Sequence, residues 1–376
     1  MSEEAIRKPA ANASVFARVA LLFYAFLIVY ASWYPFSGWH SSGLSAFAYL
    51  SAPFPYYWTV FDLAINIFGY APLGVLAVFA LYPNVRGSWT VPIAVIGGAL
   101  LSGAMEAVQT YLPSRVASNL DLLTNTAGVL LGAIIGVLLT RTFLEESRFL
   151  HLRSRWFSHE ASRGLIVIAL WPLAQLYPQG YLFGHGQILP IFSVWLSEWL
   201  DTPIDLGALL RRGSDLSVEH YWLAETIITA CGLTGAVLTL LCLLREQAPK
   251  AALTVALVLA ALTTKSLAIA LLFTPDNAFA WLTPGAQGGL LIGAMMLSGL
   301  AFAPPVAQRR VAALALIASL AAVNVVPANP YFTASLQGWV QGKFLNFNGA
   351  AQFLSLLWPF FAVWFLYHPV HALKRK

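Results

Sequence analysis

Apolar runs of about 20 residues, the length a helix needs to cross the hydrocarbon core of a bilayer, govern what this chain can fold into. Ten such segments lie near 16–34, 61–82, 91–111, 121–143, 164–178, 221–244, 251–273, 285–303, 310–326 and 350–367. Composition agrees: 59% of the 376 residues are hydrophobic and only 10% charged, against about 25% charged in a soluble domain. A soluble enzyme, a disordered tail and a disulfide scaffold are all excluded. The expected fold is all-α, a polytopic membrane protein of about ten spans, within a range of 8–10. The fifth segment is short and contains Pro172, and the ninth is short as well. The first follows Arg7, Lys8 and Arg18, but its exit, ASWYPF, is a poor cleavage site, so it reads as an uncleaved anchor.

Basic residues set the expected orientation, because loops on the cytoplasmic side are enriched in Lys and Arg. With both termini cytoplasmic, 16 of the 21 basic residues fall on the inner side and four on the outer, with Lys265 inside a span. The net charge of +5 therefore reads as membrane orientation, and nucleic acid is not an expected partner. Cys231 and Cys242 share one apolar segment, cannot pair there and read as packing residues.

Three parts are expected: a four-helix membrane domain over 1–140, a basic cytoplasmic linker over 141–163, and a six-helix membrane domain over 164–376. The last includes an outer segment, 179–220, suited to a helix lying at the membrane interface. Within it Trp195, Trp199, Tyr181 and Phe183 fit an aromatic belt. A lid over an outer-facing pocket is the alternative. Gly128, Gly132 and Gly136 recur every four residues, as do Gly285, Gly289 and Gly293, and each strip would admit a close neighbour. Gly98 and Ser102 offer a matching strip for the first of them.

Ionisable groups inside spans are costly and mark candidate sites. Asp62 and Asn66 lie one turn apart where the second span begins, and Glu106 and Gln109 one turn apart where the third ends. The loop PSRVASN supplies Arg115, Ser118 and Asn119, and the fourth span opens with Asp121 and Asn125. These stretches gather at one depth in the outer leaflet, where Lys265 of the seventh span could join them. Bland readings stand beside the functional one. Ser118 or Asn119 could cap the fourth helix, Asp62 could sit in a first turn, Arg115 could pair structurally, and Lys265 could snorkel. If all are ionised, Asp62, Glu106 and Asp121 against Arg115 leave a charge of −2, to be met by Lys265, a cation or a cationic ligand. With no His or Cys nearby, no zinc site is expected, and the oxygen ligands leave Mg²⁺ or Ca²⁺ as the open alternative. The sequence itself requires no cofactor.

In this order the motifs resemble the VanZ-like family of bacterial membrane proteins over roughly residues 60–140. Asn66, Pro72, Leu73 and Gly74 are similar to its N-x-x-x-x-P-L-G segment, with one extra residue of spacing. Glu106 and Gln109 then match E-x-x-Q, Arg115 the following arginine, Asp121 and Asn125 D-x-x-x-N, and a G-x-x-x-G strip closes the match. The chain is longer than the four- or five-span proteins typical of that family. The resemblance implies a bacterial inner-membrane protein of the cell envelope, with a link to glycopeptide-antibiotic resistance. Together with the polar residues, it gives the expected function: an outer-leaflet pocket binding an envelope component, such as a lipid-linked glycan or another lipid headgroup. The alternatives are a membrane-embedded enzyme with Glu106 or Asp121 as general base, and a lipid or solute transporter pairing Glu106 with Lys265.

Overall fold

The computed structural model describes residues 3–34, 45–140, 155–158, 162–212, 216–272, 275–327 and 345–368, with 36, 38–41, 43 and 143 between them. Most of the expected linker, including Arg141, Arg148 and Arg153, lies outside the described residues, as do Lys343 and the Lys374–Lys376 end. The described chain is all-α, with one isolated bridge between Phe157 and Leu244. It forms two compact units, Met1–Arg153 and Ser154–Lys376.

In the first unit the principal helices are α1 (Glu3–Trp33), α2 (Val60–Leu81), α3 (Thr90–Gln109) and α4 (Asn119–Thr140). Thr59 and Asp62 start α2 with a reciprocal capping box. The helix then continues through Pro72, which lacks the N–H an interior turn would use. α4 packs on both α2 and α3, and α1 packs on α2. Its glycine strip does admit a close neighbour, but that neighbour is α2. A Cβ on Gly128 would strike the Ile67 backbone, one on Gly132 the Ala71 carbonyl, and one on Gly136 the flank of Val75 and Val78. Gly74 of α2 returns the contact against the Val129 carbonyl. Gly98 instead accommodates the Val129 side chain, so its strip is not the mate of the α4 glycines.

In the second unit the helices are α5 (Ser162–Ala174), α6 (Leu189–Leu200), α7 (Leu206–Leu210), α8 (Val218–Leu241), α9 (Lys250–Leu272), α10 (Pro284–Leu300), α11 (Pro305–Val325) and α12 (Leu345–Tyr367). α8 is apolar nearly all round and is accordingly the most buried of the long helices. α10 and α11 pack on it, with Gly285, Gly289 and Gly293 facing Glu225, Thr229 and Leu233. Trp171, Trp358 and Phe183 centre the core, and Trp358 Nε1 donates to the Val167 carbonyl at 2.8 Å. Both cysteines are free.

Six helices among the described residues are long and apolar enough to cross a membrane, in α2, α3, α4, α8, α9 and α11. Every one of the ten expected segments coincides with a helix. The ninth is longer than expected, because Pro305 at the first helical position starts α11 early. The fifth, α5, stays at 13 residues. Large apolar side chains such as Leu22, Phe26, Leu100, Leu138 and Leu291 point outward, where a water-facing helix would carry charge. This is a helical membrane protein.

The segment after α5 departs from expectation in part. Trp195 and Trp199 are exposed on α6, but Tyr181 and Phe183 are buried and do not belong to a surface belt. The Tyr181 hydroxyl donates to the Pro327 carbonyl at 2.7 Å, and Phe183 stacks near Trp171 at 4.8 Å between ring centroids. The loop before α6 folds inward because its aromatic rings complete the core of this unit.

Candidate functional site

Three helix ends of the first unit converge on a buried polar group. Ser102 and Glu106 come from α3, one turn apart, Asn66 from α2, and Asp121, Thr124 and Asn125 from α4. Ser118 is the hinge between α3 and α4. Its hydroxyl accepts from the Asp121 amide at 3.3 Å, the N-cap expected of it. Its own backbone N–H, an orphan donor at the helix start, goes to Glu106 Oε2 at 2.8 Å. Glu106, 3% exposed, thereby fixes the entry to the next helix. Asn119 does not cap α4; its Nδ2 donates to the Ala52 carbonyl at 2.5 Å.

Asn66 joins α2 to α4 by donating to Asp121 Oδ1 at 3.0 Å and Thr124 Oγ1 at 3.2 Å. Asn125 donates to Ser102 Oγ at 3.0 Å, and its buried Oδ1 has no partner among the described residues. Thr124 and Ser102 belong to the network without having been expected there from the sequence. The signal for Thr124 was its place three residues after Asp121, on the same helix face.

Gln109 and Arg115 reach elsewhere as well. Gln109 Nε2 donates to the Ser32 carbonyl at 3.2 Å, and Arg115 Nη2 to the Ala31 carbonyl at 3.4 Å. Both carbonyls belong to the last turn of α1, whose final acceptors have no partners within the helix. Among the described residues Arg115 has no carboxylate within 4.0 Å. It still feels both acids: burial lowers its guanidinium from the ordinary range, and Glu106 and then Asp121 raise it. Burial, then the Glu106 charge, also pushes up the hydroxyl of Tyr49, which donates to the Gly103 carbonyl.

Asp62 is taken up by its cap. Its carboxylate accepts from the Thr59 amide at 3.0 Å and the Thr59 hydroxyl at 2.7 Å at an exposed position. Lys265 belongs to the second unit, where it donates to the Gln179 carbonyl at 3.0 Å. Among the described residues no three His, Cys, Asp or Glu side chains are gathered as a metal-binding group.

The first unit is thus a membrane helix bundle with a closely packed glycine seam and an asparagine–carboxylate–arginine group at one end. The VanZ/LLP1 family matches residues 19–140, so this segment is VanZ-like. The match begins ahead of the motifs and takes in every first-unit residue of the polar group. No curated protein and no solved structure matches the chain.

Proposed function

We propose that the first unit binds the polar headgroup of an envelope lipid, with a lipid-linked glycan as the natural candidate. The observation that carries this reading is the state of Arg115. It is half-buried beside two carboxylates, contacts neither within 4.0 Å among the described residues, and commits one weak hydrogen bond to a carbonyl. A planar guanidinium with donors to spare suits a phosphate, while Asp121 and the buried Asn125 Oδ1 would accept from sugar hydroxyls or an amine. The asymmetry of basic residues along the sequence would place this end in the outer leaflet of a bacterial inner membrane, at headgroup depth.

The test is lipid binding by the purified chain, read by native mass spectrometry with a polyprenyl-phosphate-linked sugar as probe. Wild type should retain the probe, and Arg115→Gln should lose at least tenfold in affinity while remaining folded. Glu106→Gln should weaken binding as well, since Ser118 would then be held less firmly. Equal binding by wild type and Arg115→Gln refutes the reading.

A further inference from the structure

The second unit contains a polar centre of its own. Lys265 in α9 is 1% exposed, and Gln175, Gln179, His185 and Ser355 around it are all buried. Three of these four come from the loop that folds inward between α5 and α6; Ser355 comes from α12. Gln175 Nε2 donates to the Trp171 carbonyl at 3.2 Å and lies 2.5 Å from His185 Nε2. His185 Nδ1 is 2.8 Å from Ser355 Oγ, and Gln179 Nε2 is 2.5 Å from the same hydroxyl.

The protons can be assigned from these contacts. The Trp171 carbonyl fixes the Gln175 amide, so an N–H points at His185 Nε2 and makes that nitrogen the acceptor. The ring proton is then on Nδ1 and goes to Ser355 Oγ. A neutral ring fits its surroundings, since burial first and Lys265 second pull His185 down to about 3. Ser355 must still place its own proton. Turning the Gln179 amide to present its oxygen supplies the acceptor, and 2.5 Å suits O–H···O better than N–H···O. The Gln179 amide N–H groups are then free. Lys265 has two further N–H groups, and among the described residues no carboxylate lies within 4.0 Å of it. Gln175 Oε1 is the acceptor left without a partner among the described residues, so two N–H groups of Lys265 and two of Gln179 outnumber it, and an ammonium buried here is strongly unfavourable without a counter-charge.

We propose that Lys265 and Gln179 form a buried site for a small monovalent anion, with chloride as the simplest occupant. Ser355 and His185 are positioning residues that hold the Gln179 amide with its N–H groups facing the anion. One negative charge matches the single ammonium, and amide and ammonium donors are the groups a halide or small carboxylate accepts from.

The full chain, purified in detergent, tests this by thermal unfolding as chloride replaces gluconate at constant ionic strength. Wild type should show a saturable rise in melting temperature. Lys265→Met, which keeps the length of the stem, should abolish the chloride response. Gln179→Leu, which leaves the lysine in place, should weaken the apparent chloride affinity at least tenfold, and it serves alone if Lys265→Met does not fold. A wild-type chain indifferent to chloride, as a neutral lysine would make it, overturns the proposal. So does an undiminished response in Lys265→Met or Gln179→Leu.

Discussion

Gly128→Ala would put a methyl group between α2 and α4 at the point where the seam meets the polar site. The added carbon would stand 2.9 Å from Ile67 Cα and 3.0 Å from Ile67 C, and closer to the Ile67 carbonyl oxygen. Carbon–carbon contacts are comfortable from about 3.5 Å, so the two helices must part by about 1 Å. Asn66 precedes Ile67, and its bonds of 3.0 and 3.2 Å to Asp121 and Thr124 would then exceed hydrogen-bonding range. Overpacking costs about 1–3 kcal/mol and the two lost bonds about 1 kcal/mol each, offset by about 1 kcal/mol of improved helix propensity. A net loss of about 3 kcal/mol is expected. Gly97→Ala, where the new carbon meets nothing within 4 Å, serves as the control and should be neutral or stabilising. Reversible unfolding of both variants in mixed micelles gives the stabilities, and the lipid-binding assay reads the site. Equal stability of Gly128→Ala and Gly97→Ala, with binding intact in both, would refute the claim that this seam sets the site geometry.

Asp62→Ala should cost about 1 kcal/mol through its lost capping box and leave headgroup binding unchanged; a binding defect would return Asp62 to the site. His185 carries a pH signature: its folded value of about 3 lies below the ordinary 6.5. Its contribution to stability is complete above 6.5 and falls with pH toward 3, at up to about 1.4 kcal/mol per unit. His185→Gln should flatten that part of the stability–pH curve, and an unchanged slope would show that the ring is not held neutral. Asn324 accepts from the Ile188 and Leu189 amides at 2.8 and 2.9 Å at the start of α6. Asn324→Leu should speed amide hydrogen exchange in the first turn of α6, and unaltered exchange would mean the helix is seated by other contacts.

Much of the first unit was legible because cost leaves a mark in sequence. A glutamate inside an apolar run stands out, and Glu106 does hold the α3–α4 junction. Helical spacing showed that Gly128, Gly132 and Gly136 share a face, but spacing names no partner, and α2 rather than Gly98 fills that role. Thr124 was hidden because a threonine in a helix ordinarily signals packing. The inward loop was illegible for a deeper reason. Tyr181, Phe183 and His185 carry the composition of an interfacial segment, and only the space left between neighbouring helices decides that they are buried. Lys265 stood out by the same cost argument as Glu106, yet its acceptor is a backbone carbonyl of Gln179, a kind of partner that side-chain identity does not reveal.

Arg115 and Gln109 close off the last turn of α1 from outside it, through Ala31 and Ser32. The first helix therefore ends on the same guanidinium that faces Glu106 and Asp121. A headgroup that draws Arg115 toward itself takes a donor away from that helix end, while Gln109 keeps its hold. Occupancy would then be felt as fraying in the final turn of α1, so a probe attached near Tyr34 could report binding from outside the pocket.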